Sequence, residues 1–397
     1  GVWRMNDVLD FVSNSQWPTG PQDIENSCRF NSGDSARLTR TQTSGDRNKA
    51  TFSAWVKRSK LAANQAFFGI YGASSDAGQI EIRFQSSGEG LHITGQASNW
   101  RRTSASLRDT SSWYHVVVAF DTTLSTASDR VKVYVNGSQV TSFAASENPD
   151  QDESLPFGLS GATCIVGANF NAGSAGDYFG GYLAEVVLID GQQLDPTSFG
   201  ETDSTTGIWK PKKIGAFSSA GTNSFYLDFK DSSNLGKDAS GLGNNFTVTN
   251  IASTDQMTDT CVENFATLNP LWIERANNVQ PAFSNGNLTA TFDNGSTNEQ
   301  GVSNIAVSTG KWYCEMKYVA TTGGDFPRVG VCSKVANRGT NQSLQADVDD
   351  HAYNGYEGNY LNNGGSVSYG ASYTTGDILG IALDLDNGYI YFSKNGT

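Results

Sequence analysis

Charge is scarce in this 397-residue chain: Asp, Glu, Lys and Arg make up 17% of it, against roughly 25% in an average soluble domain. Positive charge is scarcer still, with 27 Lys and Arg against 40 Asp and Glu, a net charge of −13 and a pI near 4.7. Such a surface repels phosphate backbones and anionic headgroups, which argues against nucleic acid and membrane surfaces as partners. No apolar run approaches the ~18 residues of a membrane-spanning helix. The longest, such as Val116 to Phe120, are strand length, and no membrane insertion is expected. Five cysteines, Cys28, Cys164, Cys261, Cys314 and Cys332, are widely spaced without a CxxC pair. That excludes a zinc motif and a disulfide framework; they read as small buried hydrophobes, with Cys314 and Cys332 the pair to test for a disulfide.

Glycine, aromatic rings and small polar residues take the place of charge. Apolar residues reach only 37%, but Phe, Tyr and Trp supply 11% of the chain, and each large ring buries enough area for a few of them to sustain a core. The 43 glycines, with abundant Ser, Thr and Asn, suit short strands joined by tight turns and suit helices poorly. The composition points to an all-β chain whose length fits two domains and a bridging segment.

Residues 1–24 hold one predicted helix, Met5 to Asn14, with Val8, Leu9, Phe11 and Val12 on one side and Trp17-Pro18 ending it. They read as a connector. From Cys28 onward the apolar period is two. Ile80, Ile82 and Phe84 share one face of a strand, and Tyr114 to Phe120 is nearly continuously apolar, as in a strand covered on both faces. Val131, Val133 and Val135 alternate into Asn136-Gly137, a type I′ hairpin signal. These segments make residues 25–205 an antiparallel sandwich. Residues 206–262 form a less regular bridge, with strands predicted at Ser224–Phe229 and Asn245–Asn250 and a polar linker at Thr254–Glu263. Residues 263–397 hold a second strand series, including Lys311–Tyr318, Gly376–Leu385 and Tyr389–Phe392, the last two joined by Asp386, Asn387 and Gly388. The chain opens on Gly1 and stops within an Asn395-Gly396-Thr397 turn signal, so both ends read as cuts in a longer polypeptide.

Three ordered segments, Trp113–Asp121, Val131–Gly137 and Phe179–Leu188 followed by Gln192 to Pro196, resemble a laminin-G or concanavalin A-like jelly-roll lectin domain. In that family they are a core strand, a hairpin and a closing strand. Gly310–Met316 resembles the G-x-x-Y-x-E strand of SPRY domains, and Gly376–Gly396 resembles that family's most recognisable segment. The SPRY pattern continues past this point with at least one more strand, so the second sandwich is expected to be C-terminally incomplete. The resemblances imply two antiparallel β-sandwiches, a jelly roll and a SPRY-like sandwich, behind a short helical connector. Together with the Asn/Gly-rich bridge, they resemble fibre or decoration proteins of bacteriophages and environmental viruses.

Concanavalin A-like folds include glucanases, and that resemblance implies two carboxylates a short strand apart, about 5 Å in retaining enzymes. No Glu-x-Asp-x-x-Glu pattern occurs: Glu81 stands alone in its strand, and Glu185 has only Asp190 nearby. His92, His115 and His351 are isolated from any Ser or Cys nucleophile motif, and His115 reads as a structural residue within a core strand. The chain is therefore expected not to be an enzyme. Laminin-G-type sandwiches imply calcium at a loop rim, which makes Asp76, Asn169, Asn171 and Asp177 candidate ligands; the same residue types are also what turns demand. Glycan binding needs an aromatic platform with amides and charges beside it. Trp100 with Arg101 and Arg102 supplies one, Tyr178 and Phe179 a second, and Tyr353, Tyr356 and Tyr360 interleaved with Asn363 and other asparagines a third. The alternative for several of these tyrosines is strand core. Abundant Asn-x-Ser/Thr sites are what an Asn/Ser/Thr-rich chain contains by chance.

The expected function is a non-catalytic structural and recognition module of a viral fibre or surface appendage. It would bind a host-surface glycan or protein through loops, without a cofactor unless calcium is held. Its partners would also include copies of itself, as a trimer or other homo-oligomer, and further structural proteins on a virion or extracellular surface. The alternatives are a purely architectural subunit and a secreted microbial adhesin.

Overall fold

The computed structural model describes residues 24–72, 78–95, 98–171, 174–214, 217, 220–272, 281–292, 299–319, 328–332, 344 and 348–397. The predicted helix Met5–Asn14 lies outside them. Among the described residues helical structure is confined to 3-10 turns such as Ser32–Asp34 and Pro196–Ser198, and the protein is all-β. The chain divides into two compact units, one running to Pro270 and taking in Phe283–Thr289, the other formed by Leu271–Ala282 and Ala290–Thr397.

The first unit is a sandwich of two eight-stranded antiparallel sheets. In the first sheet the spatial order is Ser138–Gln139, Val131–Val135, Trp113–Asp121, Lys49–Arg58, Gly181–Asp190, Ser27–Phe30 and Gln256–Met257, with Phe225–Leu227 also pairing Gly181–Asp190. In the second it is Phe143–Ala145, Ser98–Thr103, Leu91–Gly95, Gln79–Phe84, Gln65–Tyr71, Thr163–Val166, Arg37–Thr41 and Thr247–Thr249. Alternation puts Phe52, Ala54, Val56, Val116, Val118 and Phe120 of the first sheet against Phe68, Ile80, Ile82, Phe84 and Trp100 of the second. Phe52 stacks on Phe68 at 4.3 Å between ring centroids. Each such buried side chain contributes about 1.5–3 kcal/mol. Asn136 and Gly137 take positive φ, 48° and 78°, as the type I′ hairpin requires.

The continuously apolar Trp113–Asp121 strand is covered on both sides. Val117 packs outward with Val187, Ile189 and Phe199, while Trp113 packs with Trp55, Tyr182 and Ala184. Part of the cover, including Trp209, Phe217, Tyr226 and Met257, comes from residues 206–262, which are not a separate bridge as the sequence suggested. Their strands Phe225–Leu227 and Gln256–Met257 extend the first sheet, and Thr247–Thr249 the second. Composition missed this because the segment holds itself by buried polar contacts. Asp259, in the predicted linker, accepts from Lys57 Nζ at 2.7 Å and from Trp113 Nε1 at 3.1 Å, and Lys57 is fully buried. His115 is structural: its Nε2 meets Ser53 Oγ at 2.9 Å, and Trp209 Nε1 donates to its Nδ1 at 3.0 Å.

The second unit contains a three-stranded sheet, Lys311–Lys317, Ile378–Asp384 and Tyr389–Lys394, and a four-stranded one, Arg328–Val331, His351–Asn354, Asn359–Asn362 and Gly365–Ser368. Among the described residues its core is rich in tyrosine: Tyr318, Val329, Tyr353, Tyr373, Leu379, Ile381 and Phe392. Cys314 and Cys332 form no disulfide, which corrects that pairing: Cys314 lies in the three-stranded sheet and Cys332 directly follows a strand of the other. Cys28 and Cys164 are core residues, and burial pushes the Cys164 thiol up to about 12.

Candidate functional site

The outer face of the second sheet carries the residues that its core-facing alternation leaves over. With Ile80, Ile82 and Phe84 turned inward, Glu81 and Arg83 of the same strand turn outward. The register sets Ala66 opposite Arg83, Arg83 opposite His92, and His92 opposite Arg102. A guanidinium, an imidazole and a second guanidinium thus stand in a row on three adjacent strands. Beyond Ala66 the row is closed by Tyr178, which bridges it in parallel. The hairpin of Asn169–Asn171 and Ser174–Gly176 brings Asn169 and Asp177 to the same place.

These side chains form one network. Arg83 pairs with Glu81 at 3.0 Å and with Asp177 at 3.4 Å. Asn169 Nδ2 donates to Glu81 Oε1 at 2.6 Å and to Asp177 Oδ2 at 3.2 Å, and Gln79 also donates to Glu81. Burial raises the Glu81 carboxyl above its usual range. Arg83 Nε donates to His92 Nδ1 at 3.4 Å, so the His92 proton sits on Nε2, which donates to Asn99 Oδ1 at 2.9 Å. Burial, and then the neighbouring Arg83, hold His92 down at about 4, so the imidazole is neutral at pH 7. Arg102 is half-buried and makes no ion pair among the described residues.

Arg102 and Tyr178, expected to bind glycan, and Asn169 and Asp177, expected to hold calcium, therefore lie on one face. Glu81, Arg83, His92 and Asn99 join them. The strand alternation could have pointed to Glu81 and Arg83, whereas their meeting with the hairpin is tertiary.

Trp100 is not a platform. It is 2% exposed and packs in the core, 6.2 Å from Phe120. Its ring lies on Gly95, where an added Cβ would stand 2.2 Å from it. A register shift between Ile93 and Gly95 breaks the alternation, so Arg101 is buried as well, donating to the carbonyls of Trp100, Ser128 and Glu147. Phe179 is a core residue beside Phe30 and Phe67. Tyr353 is buried and stacked on Phe392. Tyr360 is half-buried against His351, and its hydroxyl lies 2.5 Å from His351 Nδ1. Tyr356 is exposed, and Asn363 sits in a turn at φ 47°. The tyrosines of this stretch do not gather into one platform.

Asn169 and Asp177, the calcium candidates whose side chains the structure describes, fit a cation poorly. Both carboxylates near Asn169 already face the Arg83 guanidinium, which supplies the positive charge an ion would bring. Asn169 Oδ1 is buried without a partner, but no group of three or more His, Cys, Asp and Glu side chains is placed to hold a metal among the described residues. Asp76 and the side chain of Asn171 lie outside the described residues.

Residues 30–196 match the Concanavalin A-like lectin/glucanases superfamily, and residues 311–397 match the SPRY domain. The two resemblances read from the sequence fall on these two stretches. Ran-binding protein 9 of Danio rerio is 28% identical over 96 residues, 23% of this chain and 15% of that protein, so the chain spans under a sixth of that relative's length. A candidate carbohydrate binding protein from Bacteroides ovatus is 16% identical, with a TM-score of 0.39 over 58% of each chain. The heptameric SAP-like pentraxin of Limulus polyphemus is 18% identical, with a TM-score of 0.33 over 42% of this chain and 77% of its own.

Proposed function

We propose that this chain is a non-catalytic recognition protein whose concanavalin A-like sandwich binds carbohydrate across the outer face of its second sheet. The observation that carries this reading is the Arg83–His92–Arg102 row. Sugar hydroxyls both donate and accept hydrogen bonds, so a saccharide site needs donors and acceptors fixed in advance. Arg102 offers a guanidinium fork not committed to any carboxylate among the described residues, Asp177 and Asn99 offer acceptors, and Tyr178 offers an apolar ring edge. Three paired strands hold the row rigid, so little is lost in ordering it.

Turnover is not part of the reading, although the fold brings together two carboxylates that the sequence separates. Arg83 bridges Glu81 and Asp177, and Glu81 is buried with both oxygens engaged. Glu81 thus has no oxygen left to act as nucleophile or proton donor, and Asp177 is held in an ion pair with Arg83. A binder with one modest site gains from repetition, which suits display of several copies on a viral fibre or other extracellular surface.

The test is a glycan array with affinity electrophoresis in neutral and acidic polysaccharides, with and without EDTA, on the unaltered chain and on Arg102→Ala. Binding that falls at least tenfold in Arg102→Ala, with an unchanged melting temperature, supports the site, and EDTA is expected to leave it intact. Binding indifferent to Arg102, or none to any glycan, refutes it.

A further inference from the structure

The three-stranded sheet of the second unit has a face that its core does not use. Leu379, Ile381 and Phe392 turn inward, so the opposite parity faces out. Pairing sets Tyr313 opposite Ala382 and Ala382 opposite Tyr391. One step along, Glu315 stands opposite Gly380 and Gly380 opposite Ser393; on the other side, Lys311, Asp384 and Tyr389 make a row. The two outer strands carry tyrosines, and the central strand carries only Ala382 and Gly380 between them. With strands about 4.8 Å apart, the Tyr313 and Tyr391 backbones stand roughly 10 Å apart across a floor free of bulky side chains.

Tyr313 lies down over this floor. A Cβ at Gly380 would stand 2.7 Å from the Tyr313 hydroxyl oxygen and 3.2 Å from its Cε2. That hydroxyl donates to Glu315 Oε1 at 2.8 Å, which ties the ring down. Tyr389 and Tyr391 lie 6.2 Å apart between centroids. The three rings are 60%, 57% and 56% exposed, for Tyr313, Tyr389 and Tyr391. Single exposed apolar side chains are ordinary, whereas three exposed rings on one sheet face mark a contact surface.

We propose that this face is a carbohydrate-binding site of its own, taking an uncharged pyranose stacked on Tyr313 and Tyr391. The flat C–H face of the sugar covers the rings, and its hydroxyls meet Glu315, Ser393 and the phenol hydroxyls at the edge. Lys311 and Lys317 balance Glu315 and Asp384, and the whole chain carries −13, so an acidic saccharide is disfavoured over an uncharged one. Tyrosines on paired strands lose little freedom on binding, having two χ angles each. The site shares no residue with the sandwich row and does not depend on it.

The test is affinity electrophoresis of the full chain in gels containing soluble β-glucan, mannan or xylan. Retardation by at least one is expected to weaken tenfold or more in the Tyr313→Ala, Tyr391→Ala pair. It should stay within threefold in the corresponding Phe pair, which keeps the rings, and in Arg102→Ala. On the unaltered chain, saturating tyrosine ring protons by NMR should transfer magnetisation to sugar C–H groups. That second readout holds whatever the variants do to folding. Retardation lost in Arg102→Ala but kept in the tyrosine pair belongs to the sandwich and overturns this site alone. No retardation by any of the three, or no transfer from tyrosine, overturns it as well.

Discussion

Lowering the pH from 7 to 4.5 probes the packing of His115 directly. The ring is 1% exposed and lies between Trp55, at 4.8 Å, and Trp209, at 5.9 Å between centroids. Trp209 donates to Nδ1, so Nε2 holds the single proton and gives it to Ser53. A second proton would have to enter Nδ1 against that bond, in a place with no carboxylate partner among these contacts. Burial accordingly pushes His115 down to about 3 from an ordinary 6.5. The unfolded chain takes up the proton first, so stability is whole above pH 6.5 and falls as the pH drops from there toward 3. At pH 4.5 the gap of two units corresponds to about 2.7 kcal/mol. Urea unfolding followed by tryptophan fluorescence, at pH 7 and 4.5, reads this loss. In His115→Gln, which keeps a donor and an acceptor but does not titrate, the loss between the two pH values should shrink by about 2–3 kcal/mol. His92, held at about 4, titrates in both chains and cancels in the comparison. Carboxylates held low by their partners, such as Asp384 at about 2 against 3.8, lose their contribution only below this window. An equal pH-dependent loss in the two chains would refute the reasoning.

Trp100→Ala should cost about 3–5 kcal/mol through the cavity it opens between the sheets. A thermal melt checks this, and a melting temperature within a degree of the unaltered chain would return Trp100 to the surface. Asp259→Ala should cost about 3–5 kcal/mol because it leaves the Lys57 ammonium buried and unpaired. Adding Lys57→Met to that variant should recover part of the loss, as read from urea midpoints; a double variant no more stable than the single one would contradict it.

The alternation of Ile80, Ile82 and Phe84, the Val131–Val135 run into Asn136-Gly137 and the hairpin at Asn387-Gly388 were legible because a strand's side-chain period and a turn's positive φ are local properties. The same locality makes Glu81 and Arg83 readable as the opposite face of that strand. It failed at Trp100 and Arg101, where a register shift against Ile93 and Gly95 turns consecutive residues inward. It failed again at residues 206–262, whose apolar content is low because Lys57 and Asp259, His115 and Trp209, and Tyr226 and Glu185 fasten them by buried polar contacts.

What the sequence determined by itself was the class of structure: the periodicity, the turns and the two domain patterns, each written within a few tens of residues. Only the tertiary structure decided which side chains meet. Arg83, His92 and Arg102 become neighbours through strand register, and Asp177 reaches them through a hairpin 94 residues on from Arg83. Tyr313 and Tyr391 face one another across Ala382 although 69 residues separate Ala382 from Tyr313. Pairing between distant strands is fixed by the packing of the whole sheet, and no local window of sequence contains that information.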